Sequence, residues 1–170
     1  NKGATVIMAC RSTDKAEKAR QSVLGRVSGG ELVVMQLDVS DFESIKAFNA
    51  RFIEQYDRLD VLINNAGVMG APEILRTKHG FESQIGTNHL GHFVLTAGLM
   101  PLLKKTPSAR VVAVASVAHK QAKNFNPDDI NFEQSEYKPF YGYTRSKLAN
   151  LLFMRELNKR VKAAGLDIKA

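Results

Sequence analysis

Tyr143 and Lys147 stand four residues apart in Tyr143-Thr144-Arg145-Ser146-Lys147, a spacing that puts both on one face of a helix. A free tyrosine, with a pKa near ~10, is a poor acid–base catalyst at neutral pH. An ammonium beside the phenol favours its ionised form and makes it a better one. Alone the pair says little, since any solvated helix face can carry it. Three other groups precede it in order. Asn64-Asn65-Ala66-Gly67 follows the apolar Val61-Leu62-Ile63, Asn88 lies within Thr87-Asn88-His89-Leu90-Gly91-His92-Phe93, and Ser116 ends Arg110-Val111-Val112-Ala113-Val114-Ala115. Small residues let backbone approach a ligand closely, and Asn amides can tie neighbouring segments together. A hydroxyl at the carboxyl end of a parallel strand stands where ligands bind, although a serine there can also be a simple turn cap.

Strand and helix patterns alternate along the chain, which predicts an α/β fold with a parallel sheet. Ala4 to Ala9 is a short apolar run of the kind buried in such sheets. A helix is expected from Thr13 to about Val27, stopped by Gly29-Gly30, and a strand from Glu31 to Gln36. Ser40 with Glu43 three residues on reads as a capping box before Phe42, Ile45, Phe48 and Phe52 at helical spacing. Further strands are expected at Leu59–Ile63 and Arg110–Ala115, with another beginning at Leu166-Asp167-Ile168. Long helices are expected from Gly80 to Lys104 and from Pro139 to about Ala164. The longest irregular stretch, Val117 to Lys138, separates Ser116 from Tyr143 and should rim the site.

The chain has 170 residues, one domain's worth, and a formal net charge of +7 spread along its length. No basic stripe or reader motif accompanies that charge, which argues against nucleic acid as a partner. Cys10 is the only cysteine, so an intrachain disulfide is impossible. No apolar run approaches the roughly 20 residues needed to span a bilayer. A cytoplasmic location is expected on these grounds, with membrane association left open. His89 and His92 lack a third ligand at suitable spacing and read as structural histidines; His119 reads as a surface loop residue.

In their order and spacing the four motifs resemble the short-chain dehydrogenase/reductase family. Ala9-Cys10-Arg11, the stretch 87–93, Asp129-Ile130-Asn131-Phe132 and Ser146-Lys147-Leu148-Ala149-Asn150 are most similar to its retinol dehydrogenase-like branch. The resemblance covers nearly the whole chain. It implies a Rossmann-type doubly wound parallel sheet with helices on both faces, incomplete at both ends, and one partial NADP-binding domain over residues 1–170. It further implies hydride transfer between a nicotinamide cofactor and a carbonyl or alcohol. Tyr143 would be the acid or base, Lys147 its modulator and a ribose ligand, Ser116 the group that orients the carbonyl, and Asn88 the holder of a relay water.

For the cofactor, the resemblance points to Arg11, Asp38, Val39, Asn65, Ala66 and Gly67 together with Tyr143 and Lys147. Where an acidic residue would favour NAD, this chain has Cys10, and the adjacent Arg11 offers a fork of donors suited to a 2′-phosphate, so NADP(H) is expected over NAD(H). The alternative is a surface arginine at a strand end. Asp38 would cap the adenine and Val39 pack on its ring, unless Asp38 merely opens a turn. A homodimer through the helices near 80–104 and 139–164 is also implied. The family's opening strand and Gly-rich turn do not precede Asn1, so a fragment inactive by itself is expected. A non-catalytic nucleotide-binding or scaffold protein on the same fold is the competing reading.

Overall fold

Two compact units make up the chain, residues 1–38 and 39–170. The computed structural model describes every residue except Asn1, Lys2, Ala71 and Asn124. Both units are built from parallel strands and helices, an α/β arrangement.

In the first unit β1 (Thr5–Cys10) pairs with β2 (Glu31–Gln36) in parallel, from Thr5 opposite Glu31 to Cys10 opposite Gln36. Between them runs α1 (Thr13–Leu24), whose first turn is capped by the Ser12 hydroxyl accepting from the Lys15 N–H. The helix ends three residues earlier than Val27, as the Gly25 N–H closes on the Gln21 carbonyl. Leu37 N–H donates to the Cys10 carbonyl at 3.0 Å. Arg11 and Asp38, which follow the two strands, therefore leave the sheet at the same end.

The second unit opens with α2 (Phe42–Gln55). Its cap is Asp41 and not Ser40: Asp41 accepts from the Glu43 N–H at 3.0 Å, and Glu43 turns outward to Lys46. The expected capping box fails because the carboxylate one residue later already fills that role. Lys78 donates to the other Asp41 oxygen, and this hydrogen bond above all holds the Asp41 carboxyl down at about 2. His79 Nε2 accepts from the Phe42 N–H at 2.9 Å while its ring stacks on Phe42. Ile45, Phe48 and Phe52 are buried, as their spacing requires.

A three-stranded parallel sheet forms the centre of this unit: β3 (Val61–Asn64), β4 (Ala109–Ala113) and β5 (Ile168–Lys169), with β4 in the middle. Leu62, Asn64, Ala109 and Val111 are buried on one face of the sheet, whereas Val61, Ile63 and Val112 on the other are exposed. The helix expected over 80–104 is not continuous. Gly80 lies in a turn with φ +82°, and α3 (Ser83–Ile85) starts only where Glu82 caps it. A π turn, Gly86–Leu90, then precedes α4 (Gly91–Lys105). The long α5 (Pro139–Ala163) packs along α3, the π turn and β4. Between β4 and α5 the irregular stretch holds two short 3₁₀ turns, Val117–Gln121 and Pro127–Asp129. Among the described residues no helix is long and apolar enough to cross a membrane.

The junction of the π turn and α4 is tight. A Cβ on Gly91 would lie 1.9 Å from the Val39 carbonyl oxygen, which is backbone and has little freedom to move. Alanine is normally the better helix former by about 0.8–1.0 kcal/mol. Here Gly91→Ala should instead destabilise the protein by about 1–3 kcal/mol, the usual cost of overpacking. A lowered denaturation midpoint is expected; an unchanged or raised one would mean that α4 can lift away from Val39.

Candidate active site

Asn88 is completely buried in the π turn. A π turn inserts one extra residue into the helical path and rotates the side chains that follow it. Asn88 uses both ends of its amide: Oδ1 accepts from the Val68 N–H at 2.7 Å, while Nδ2 donates to the Val68 carbonyl at 2.9 Å and to Ser146 Oγ at 3.0 Å. Ser146 Oγ in turn donates to the Tyr143 carbonyl at 2.8 Å. Such i to i−3 bonding is common for a helical serine. One side chain thus joins the loop after β3 to the turn of α5 that carries Tyr143.

Lys147 is 4% exposed, and its Nζ donates to the Val114 carbonyl at 2.8 Å, just beyond β4. Nζ also sits 5.6 Å from the centre of the Tyr143 ring. A Cβ on Gly67 would come within 3.2 Å of Asn88 Oδ1 and 3.7 Å of Lys147 Nζ. The loop of Asn65, Ala66 and Gly67 therefore lies over the asparagine and the lysine, and all three of its residues are exposed. Tyr143 is half-buried. Ser116 is also half-buried: β4 closes at Ala113, earlier than the expected Ala115, and Ser116 caps the following 3₁₀ turn by accepting from the Ala118 N–H at 3.2 Å. That turn packs on α5.

His92 Nδ1 donates to the Asn88 carbonyl at 2.9 Å, and His89 Nδ1 lies 3.2 Å from Asn150 Oδ1. Burial pushes both imidazoles below their ordinary value, with the Lys147 charge adding to the effect at His92. Both are therefore neutral at pH 7. Among the described residues no cluster of three or more His, Cys, Asp or Glu is arranged to hold a metal ion. The two imidazoles are held by Asn150 and by the Asn88 carbonyl.

Asn88, Lys147, Tyr143 and the Asn65–Gly67 loop are thus assembled by direct contacts, and Ser116 enters through the turn that packs on α5. Val39 lies in the same unit, its carbonyl against Gly91. Arg11 and Asp38 belong to the first unit; Arg11 is exposed and Asp38 half-buried. Two contributors escaped the sequence reading. Ser146 looks like an ordinary helical serine, its only signal being its place beside Lys147. Gln84 gives no signal, because its partners are backbone groups far along the chain.

Residues 1–127 match the family profile described as short chain dehydrogenase. Human retinol dehydrogenase 14 is 44% identical over 98% of this chain and 52% of its own length. Human retinol dehydrogenase 13 is 39% identical over 99% of the chain and 50% of its own length. The chain spans about half the length of the curated relatives it matches. Among solved structures, an uncharacterised protein from Mycobacterium paratuberculosis superposes with a TM-score of 0.83 at 46% identity, over 99% of this chain and 57% of that one. The NADP active-site complex of Pseudomonas aeruginosa RhlG superposes with a TM-score of 0.74 at 25% identity, over 98% and 60%.

Proposed function

The chain belongs to the short-chain dehydrogenase/reductase family, and from that premise we propose that it serves an NAD(P)-dependent oxidoreductase interconverting a carbonyl and an alcohol. The observation that carries this reading is the buried Asn88–Ser146–Lys147 array, which holds Tyr143 and the exposed Asn65–Gly67 loop side by side. A nicotinamide dinucleotide fits these residues. The loop offers exposed backbone with no side chain on Gly67, and the Lys147 ammonium keeps donors beyond the one spent on Val114. When bound, the nicotinamide supplies or accepts the hydride.

The chain's own groups handle the proton. In reduction the Tyr143 hydroxyl donates its proton to the carbonyl oxygen; in oxidation the phenolate takes it from the alcohol. The Lys147 charge stabilises the negative charge that develops on the phenol oxygen and is placed to bond the cofactor ribose. Ser116 spends an acceptor position on Ala118, so its hydroxyl proton is left to orient the substrate carbonyl. Asn88 holds the loop and, through water, completes the path by which Lys147 exchanges protons with solvent. Asp38 and Val39 serve the adenine, and Arg11 serves a 2′-phosphate, which makes NADP(H) the preferred cofactor. For assembly, we assign a homodimer through α4 and α5: Phe93, Leu151 and Leu152 lie exposed on those helices, although Leu157 is turned inward.

Three outcomes follow for the full-length protein. Tyr143→Phe should lower kcat by roughly 10²–10⁴-fold while NADPH binding persists; near-normal turnover would remove Tyr143 from the chemistry. Arg11→Ala should weaken NADPH by roughly 10–100-fold, the loss of one or two charge-assisted hydrogen bonds, and leave NADH nearly unchanged. Equal losses for the two cofactors would place the 2′-phosphate elsewhere. Light scattering at micromolar concentration should give the mass of a dimer, and Leu152→Glu that of a monomer; a wild-type monomer would contradict the assigned interface.

A further inference from the structure

Gln84 is 1% exposed, and its side-chain amide is divided between two loops. Oε1 accepts from the Gly70 N–H at 3.0 Å, at the end of the loop that covers Asn88 and Lys147. Nε2 donates to the Pro139 carbonyl at 2.9 Å and to the Tyr137 hydroxyl at 3.3 Å. A backbone N–H can only donate and a carbonyl can only accept, so the two ends of the amide cannot be exchanged. Gln84 is itself anchored. Its N–H donates to Glu82 Oε1 at 2.9 Å, and the Glu82 N–H donates to Asn131 Oδ1 at 3.0 Å.

Pro139 opens α5, and Tyr143 is four residues later. Helical geometry pairs the Pro139 carbonyl with the Tyr143 N–H, and the carbonyl's second lone pair receives Gln84. Gly142 makes room for this: a Cβ there would lie 2.5 Å from Gln84 Nε2. Rigid backbone is thus gripped on both sides by one buried side chain.

We propose that Gln84 is a positioning residue that sets the placement of Tyr143's helix turn against the 67–70 loop, and that Gly142 is the complementary notch which admits it. This rests on the oxidoreductase reading above and adds a residue that touches neither substrate nor cofactor. Its effect is on alignment, and a misplacement of about 1 Å at reacting groups can cost on the order of 10²-fold in rate.

The test is a cycle in the full-length protein, assayed by NADPH oxidation with a simple aldehyde. Gln84→Ala should lower kcat by roughly 10–100-fold with the KM for NADPH within about threefold and the pH profile unmoved, since Tyr143 and Lys147 remain. Gly142→Ala should cause a similar loss in the presence of Gln84, but less than about threefold further loss in the Gln84→Ala background, where the clash is gone. Gln84→Met keeps the volume and should show the same kcat loss if the alanine variant fails to fold. Full kcat in the Gln84 variants, or equal losses from Gly142→Ala in both backgrounds, would overturn the proposal. Hydrogen exchange at the Gly70 amide reads the bridge without turnover: slow in wild type and fast in Gln84→Ala is expected, and equally fast exchange in both would overturn it. An inactive wild type with slow Gly70 exchange would overturn the oxidoreductase reading instead, leaving the bridge in place.

Discussion

The geometry of the second unit depends on the Asn88 amide. Asparagine is an indifferent helix former, and no packing argument would choose it for a fully buried position. It is there because the loop after β3 has no regular partner for the Val68 N–H and carbonyl. A carboxamide is the one small side chain that can answer both while keeping a donor for Ser146. An aspartate could accept from Val68 but would set an acceptor against the Val68 carbonyl. An unpaired buried group typically costs about 1–3 kcal/mol, so the loop, the π turn and α5 stand or fall together. The π turn permits this arrangement by swinging Asn88 inward, and the close approach of Gly91 to Val39 holds it from behind.

Much of this was legible in the sequence, for reasons that can be stated. Periodicity located the helix of Phe42–Gln55, since its buried face carries Ile45, Phe48 and Phe52. The strands themselves were visible as apolar runs followed by small and polar residues, although β3 runs over Val61–Asn64 and β4 closes at Ala113. Tyr143 and Lys147 were visible because the helix brings i and i+4 together. What stayed hidden is what sequence-local reasoning cannot reach. The break at Gly86–Leu90 is set by contacts with Thr77, Phe81 and Val39. Asp41 rather than Ser40 caps α2, a choice made by one residue's difference in where the chain turns. Gln84 bonds to Gly70 and Pro139, 14 and 55 residues away.

Resemblance and geometry carry different parts of the functional reading. The carboxyl ends of β1 and β2 deliver Arg11 and Asp38 to one end of their small sheet, and that follows from register alone. The proposal that these residues meet a nucleotide rests on the resemblance to the family and not on the contacts. In the second unit the contacts themselves make a case: a buried lysine, a tyrosine one turn away, and an exposed glycine loop laid over the lysine and Asn88. A merely structural lysine would not be expected at 4% exposure with its hydrogen bond going to a carbonyl and no carboxylate paired to it.

That buried cation also explains the histidines beneath it. Burial, and after it the Lys147 charge, lowers the proton affinity of His92, and His89 adds to the effect. If either imidazole were protonated, two positive charges would share a site from which water is largely excluded, where each repels the other far more than at the surface. Burial removes that possibility by holding both histidines neutral, and hydrogen bonds to the Asn88 carbonyl and Asn150 then fix their rings. Lys147 is left as the one cation of this array among the described residues, 5.6 Å from the centre of the Tyr143 ring. The polar residues packed around Asn88 therefore do two things at once. They satisfy the backbone of an irregular loop, and through the Asn88 carbonyl and Asn150 they fix the two imidazoles of the same array.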